Sequence, residues 1–277
     1  MADGELLKDF QRALADKVTA VPIAACCALH GVVMRTKAAT VLELQKELTA
    51  AASRLKEAVS DITVVTGSDV YLRLVSKIVM RTDTGNFQEC LKALRKHGSH
   101  FKTASEQSRL KIAKLGNRFI QEDTTVLVHG YSRSVMTLLL HASKKKHFEV
   151  FVLEGRPGGD GFRFCKELSA AGVPVTLTPD AAVGYIMEKV DLVLVGAHGV
   201  VESGGIINKL GTSTVAIVAG AMNKPLYVAV ESHKFVRIFP ISQVCSHLCL
   251  CVGDEDNCYI PVVMNYGGDF KYNQLIV

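Results

Sequence analysis

The chain has 277 residues, 48% of them hydrophobic and 21% charged, with a formal net charge of +5. That length buries a sizeable core in one large domain or two modest ones, and the mildly basic balance falls far short of a nucleic-acid footprint, so no direct nucleic-acid partner is expected. No apolar run reaches the ~20 residues of a membrane span. The polar start Met1-Ala-Asp-Gly-Glu predicts no secretory leader, and the eight cysteines are expected as reduced cytosolic thiols.

Up to about Arg118 the patterning is helical. Val41, Leu42, Leu44, Leu48 and Leu55 recur at helical intervals, with Glu43, Lys46, Glu47 and Lys56 between them. Asp69 to Met80 repeats the pattern with Val70, Leu72, Leu74, Val75 and Ile78. A basic segment, Phe87 to Phe119, follows with Leu91, Leu94, Phe101, Leu110, Ile112 and Leu115. Gly67 and Gly85 fall where helices are expected to stop. Residues 1–120 therefore read as an α-helical domain of about four or five helices.

From Thr124 short apolar runs alternate with amphipathic helices. The runs are Thr125–Val128, Glu149–Leu153, Val173–Leu177, Leu192–Val195 and Leu226–Val230. Continuous hydrophobic runs of that length suit a parallel sheet covered on both faces. Helices are expected to begin near Ser134, Gly161, Ala181 and Thr212, and the run Lys144-Lys145-Lys146-His147 to cap a helix C-terminus. Residues 121–240 read as a Rossmann-like, doubly wound, mostly parallel α/β domain. Ligands bind beyond the strand C-termini of such sheets, here 129–133, 154–161, 178–180, 197–209 and 231–234.

One of those stretches has a phosphate-reading layout. The run Leu192–Val195 enters a Gly-rich turn that carries Asn208 and Lys209, and Gly211-Thr212 then opens a helix. Glycine-exposed N–H groups, a helix N-terminus and one ammonium converge there. The stretch offers no obvious acid, base or nucleophile. His129-Gly130-Tyr131-Ser132-Arg133 after the first strand lacks the GxGxxG fingerprint, the 155–161 turn has the wrong spacing and contains Pro157, and no P-loop is present. No cofactor is predicted. Cys245, His247, Cys249, Cys251 and Cys258 lack zinc-knuckle spacing, so no metal is expected.

The strand ends 129–133, the segment Asp180–Lys189, Val-Gly-Ala-His-Gly-Val-Val-Glu at 195–202 and Asn-Lys-Leu-Gly-Thr at 208–212 resemble one family. It is the alpha-subunit family of eukaryotic translation initiation factor 2B, whose fold is shared with methylthioribose-1-phosphate and ribose-1,5-bisphosphate isomerases. The resemblance covers residues 1–240 and is tightest over 180–240. In those isomerases a cysteine after the first strand and an aspartate before Asn-Lys carry the chemistry. Those positions are Gly130 and Gly205 here, so isomerase activity is expected to be absent, because an acid–base pair is its minimum.

What the resemblance leaves is a vestigial sugar-phosphate pocket. Its expected contacts are Arg133, Arg156, Asp180, His198, Asn208 and Lys209. Each has a plainer reading: Asp180 as a helix N-cap, Arg156 as solvated, Arg133 as an ion-paired rim residue, His198 as a polar rim residue, and His129 as packing below the pocket. The resemblance further implies a regulatory, non-catalytic subunit of the guanine-nucleotide exchange factor complex. It implies a cytosolic homodimer that joins the other subunits and contacts the phosphorylated alpha subunit of initiation factor 2.

After Pro240 the resemblance stops. Residues 241–277 read as an atypical tail, dense in cysteine, that is expected to leave the sheet without its last strand and with an exposed apolar edge. A replacement strand over Tyr259–Met264 is the other reading.

Overall fold

The computed structural model describes residues 2–15, 19–59, 61–81, 86–98, 101–202, 204–236, 259–262 and 273–276. The chain divides into two compact units, Met1–Glu106 and Gln107–Val277.

The first unit is helical: α1 (Ala2–Leu14), α2 (Val21–Arg35), α3 (Val41–Ala58), α4 (Ile62–Arg81), α5 (Phe87–Gly98) and the first residues of α6 (Phe101–Gly116). Six helices stand among the described residues where four or five were expected. The excess comes from α1 and α2. Helix α2 escapes periodicity because Ile23, Ala24, Ala25, Cys26, Ala28, Leu29 and Val33 are buried all around it, and an all-apolar helix shows no stripe. α1, α3, α4 and α5 pack against it. The start of α3 is fixed by a reciprocal cap: the Glu43 N–H donates to Thr40 Oγ1 (3.2 Å) and the Thr40 N–H to Glu43 Oε2 (3.3 Å).

Gly67 does not stop a helix. It lies within α4, where a Cβ would fall 2.2 Å from the Pro22 carbonyl oxygen of α2. Only glycine lets the two backbones approach so closely. Gly85 lies outside the described residues.

The second unit holds a parallel sheet of β1 (Thr124–His129), β2 (Phe148–Leu153), β3 (Val175–Thr178) and β4 (Leu192–Val195), followed by β5 (Gly199–Val200), β6 (Ile206–Lys209), β7 (Leu226–Ala229), β8 (Tyr259–Val262) and β9 (Asn273–Ile276). The main sheet runs β3-β2-β1-β4-β7-β9, with every pair parallel. Between its strands lie α7 (Arg133–Ala142), α8 (Asp160–Ala170), α9 (Val183–Ile186) and α10 (Thr212–Ala221). Val126, Val128, Val150 and Val152 pack on one face with Leu138, Leu139, Phe164 and Leu168. Leu127, Leu153, Val193 and Val195 pack on the other with Val183, Ile186 and Val215. Both faces are covered, which explains the unbroken apolar runs.

Three expectations are corrected here. The third strand begins at Val175 rather than Val173, because the Val173 N–H bonds back to the Leu168 carbonyl of α8 (3.2 Å) and Pro174 has no N–H to donate. The stretch expected as a Gly-rich turn folds into a small antiparallel ladder, β5-β6-β8, so Asn208 and Lys209 sit on a strand. The sheet also keeps a last strand, since β9 pairs with β7 from Leu226↔Asn273 to Ala229↔Ile276. A replacement strand does form at Tyr259–Val262, but it joins β6 in the small ladder. The four tail cysteines and His247 lie outside the described residues.

One residue of the basic run caps a short helical turn. Lys146 Nζ donates to the carbonyls of Asn117 (2.7 Å) and Ile120, at the end of the helical segment that follows α6.

Candidate functional site

The chain order β1, β2, β3 proceeds to one side of β1, and β4, β7, β9 to the other. The strand order therefore reverses between β1 and β4, and a crevice opens at their C-terminal ends. His129 and Val195 are register partners at its floor. The residues that follow, Gly130 and Gly196, form its two lips.

Side chains from β6 and α10 close the crevice. Lys209 extends from the end of β6 and pairs through Nζ with Asp160 Oδ2, at the first position of α8. Its stem passes over Gly130, where a Cβ would lie 4.0 Å from Lys209 Cδ. His129 shares a 2.9 Å hydrogen bond between Nδ1 and Thr212 Oγ1, at the start of α10. Its Nε2 is buried without a hydrogen-bond partner. Burial holds the His129 pKa below the usual imidazole value, with Lys209 adding to the shift and Asp180 and Asp160 opposing it. The ring is therefore neutral at pH 7.

Asn208 is 6% exposed and used at both ends. Its Nδ2 donates to the Gly196 carbonyl (2.9 Å), and its Oδ1 lies 3.0 Å from His198 Nδ1. It ties β6 to the loop after β4. Burial, then the Lys234 and Lys209 ammoniums, push the His198 pKa down to about 3.

Asp180 is not an N-cap. Its carboxylate accepts the N–H groups of Gly155 (2.9 Å) and Arg156 (2.8 Å), pinning the turn after β2. The Arg156 side chain is exposed: Nε bonds Glu154 Oε2 at 2.9 Å, and the guanidinium stands 5.3 Å from the Phe162 ring centroid. Arg133 opens α7. Burial and the Arg109 guanidinium hold its pKa below the usual value, with the Glu231 carboxylate opposing.

The structure thus gathers the expected residues into three groups. Lys209 and His129 share the crevice with Asp160, His198 pairs with Asn208, and Asp180 anchors the backbone of Arg156. Arg133 belongs with Arg109, Glu231 and His233 instead. Lys234, in the short helical turn Ser232–Lys234 that follows β7, donates to the Ala197 carbonyl (2.8 Å) and stands 3.2 Å from Glu231. Burial opposes ionisation of Glu231, yet Lys234 and His233 bring its pKa down to about 2. Asp160, Thr212, Glu231 and Lys234 were not singled out in the sequence; only their place at strand ends and helix starts pointed to them.

Among the described residues no group of side chains is arranged to hold a metal ion, and no helix is long and apolar enough to cross a membrane.

A doubly wound sheet with a lysine and a helix N-terminus at its switch point defines an α/β protein of Rossmann-like topology. The sequence matches the Initiation factor 2 subunit family over residues 16–248, and the chain belongs to that family. It is 43% identical over 218 residues to translation initiation factor eIF2B subunit alpha of Dictyostelium discoideum, covering 78% of this chain and 68% of that protein. It is 34% identical over 158 residues to a ribose 1,5-bisphosphate isomerase of Archaeoglobus fulgidus, covering 57% and 50%. Its fold is similar to a chain of the tetrameric eIF2B-beta2-delta2 complex from C. thermophilum, at TM-score 0.77 and 21% identity over 94% of this chain and 86% of that one.

Proposed function

We propose that this protein is a non-catalytic, regulatory subunit of the guanine-nucleotide exchange factor complex acting on initiation factor 2. In this reading it helps the complex sense phosphorylation of that GTPase's alpha subunit, and it keeps a sugar-phosphate pocket without isomerase chemistry. One observation carries the reading: the crevice retains an ammonium and a helix N-terminus, while Gly130 and Gly205 stand where the resemblance places the isomerases' thiol and carboxylate.

The remaining titratable groups do not replace that pair. Asp180 is committed to two backbone N–H groups, Asp160 to Lys209, and His129 to Thr212. A general acid or base must reach the substrate's proton, and in the unliganded crevice both carboxylates and His129 Nδ1 are engaged.

The test is paired. The exchange complex is assembled with and without this chain, and nucleotide release from initiation factor 2 is followed with the alpha subunit phosphorylated or not. Phosphorylation is expected to slow exchange strongly only when the chain is present. The purified chain is also incubated with ribose 1,5-bisphosphate, and ketose product above the buffer rate would overturn the non-enzymatic reading.

The homodimer belongs to the same reading. Tyr185 on α9 and Ile217 on α10 are 77% and 67% exposed, and the two helices pack together. Apolar side chains this exposed favour burial against a partner. Ile217→Asp is expected to convert the dimer to a monomer, as read by light scattering; an unchanged mass would place the interface elsewhere.

A further inference from the structure

The crevice lysine is already occupied by the chain itself. Lys209 Nζ and Asp160 Oδ2 form an ion pair, and both side chains are only partly exposed, at 18% and 27%. The pair bridges the end of β6 and the start of α8 across the Gly130 end of β1. Its ammonium is the one the phosphate reading of this crevice requires.

The backbone around Asp160 is tightly held. The Gly159 N–H donates to the Gly155 carbonyl (2.8 Å) and the Gly161 N–H to the Glu154 carbonyl (2.9 Å). Asp180 fixes the N–H groups of Gly155 and Arg156 at the other end of the turn. The carboxylate therefore leaves Lys209 by side-chain rotation, without any movement of the turn. Once turned away it remains in the first turn of α8, where the helix dipole favours a negative charge. Release thus costs the ion pair alone.

We propose that Asp160 is an internal occupant of the anion site, which a ligand must displace from Lys209 to bind. The inference rests on the sugar-phosphate reading of the crevice and narrows its ligand class. A carboxylate carries one charge, whereas a phosphate monoester carries about −1.5 to −2 at neutral pH. A monoester dianion outcompetes the resident carboxylate for the ammonium; a monoanionic diester or a free carboxylate has no such advantage. Asp160 thereby acts as a specificity-determining residue for sugar phosphates and sets their affinity.

The experiment is calorimetric titration of the full chain with ribose 5-phosphate at constant ionic strength. The wild type is compared with Asp160→Asn, Asp160→Ser and Lys209→Met, with each variant's thermal midpoint recorded. Asp160→Asn and Asp160→Ser are expected to bind up to about fivefold more tightly, the scale of one partly exposed ion pair. Lys209→Met is expected to abolish binding. Equal affinity in wild type and both Asp160 variants overturns the internal-occupant role and leaves the pocket reading intact. Weaker binding in both does the same, since Asp160 would then be holding the sugar. No binding by any folded variant overturns both readings together.

Discussion

Replacing Gly67 by alanine is expected to destabilise the helical unit by about 3 kcal/mol, at the upper end of overpacking costs. In an ordinary helix interior the same change would stabilise, by roughly 0.5–1 kcal/mol, because glycine carries excess backbone freedom. Here the added methyl group would sit 2.2 Å from the Pro22 carbonyl oxygen and 2.7 Å from its Cα. Those are backbone atoms of α2, so no rotamer change relieves the contact. α2 and α4 must separate, which loosens the packing of Cys26, Val64, Tyr71 and Val75. It also disturbs the 3.2 Å bond that Cys26 Sγ donates to the Gly67 carbonyl. The clash outweighs the propensity gain. Thermal unfolding followed by circular dichroism is expected to show the helical unit's midpoint lower by about 10–15 °C. An unchanged or raised midpoint would mean that α2 and α4 do not meet at this residue.

Acid is expected to weaken the second unit well before its carboxylates titrate. Burial lowers the pKa values of His129, His198 and His233, with His198 at about 3 and His233 at about 4, against 6.5 for a free imidazole. Lys234 and Lys209 reinforce the shift at His198; at His233 Glu231 opposes it while Lys234, Arg109 and Arg133 reinforce it. The His198 and His233 rings stay neutral in the folded state at pH 5, and the lowered pKa of His129 acts in the same direction, whereas the unfolded chain takes up protons as pH falls through about 6.5. The unfolded state then binds more protons, so stability drops with pH. His198 and His233 each contribute about 2 kcal/mol of loss between pH 7 and pH 5, or roughly 3–4 kcal/mol together. Glu231 acts lower down: with its folded pKa depressed to about 2, its contribution is present above about 4.5 and fades only below that. Denaturant melts at pH 7, 6 and 5 measure the slope, and His198→Gln should remove its share. A flat profile would place these rings in contact with water.

The two predictions differ in what foreshadowed them. The histidines lie at strand ends that the apolar runs had already marked, and the residues following β1 and β4 were expected to line a site. Gly67 was expected to break a helix, because a lone glycine in a helical pattern carries the same local signal whether it stops the helix or admits a neighbour. Likewise Asp180 suited an N-cap by position, and only the approach of the turn after β2 made it a backbone anchor. Helix α2 left no stripe because it is wrapped on every side.

The parallel α/β architecture, the helix starts near residues 134, 161 and 212, and the crevice at the strand ends follow from local physics. Burial on both faces of a sheet writes continuous apolar runs, and an amphipathic helix writes its own period. That positions 130 and 205 are glycines, which offer no side chain in any fold, was equally plain. The occupant of the crevice was not plain at all. Asp160 and Lys209 are 49 residues apart and lie on different elements. They meet because the order of strands in the sheet brings the start of α8 beside the end of β6. No spacing along the chain encodes that meeting, because Coulomb attraction acts through distance in space and only the fold sets the distance.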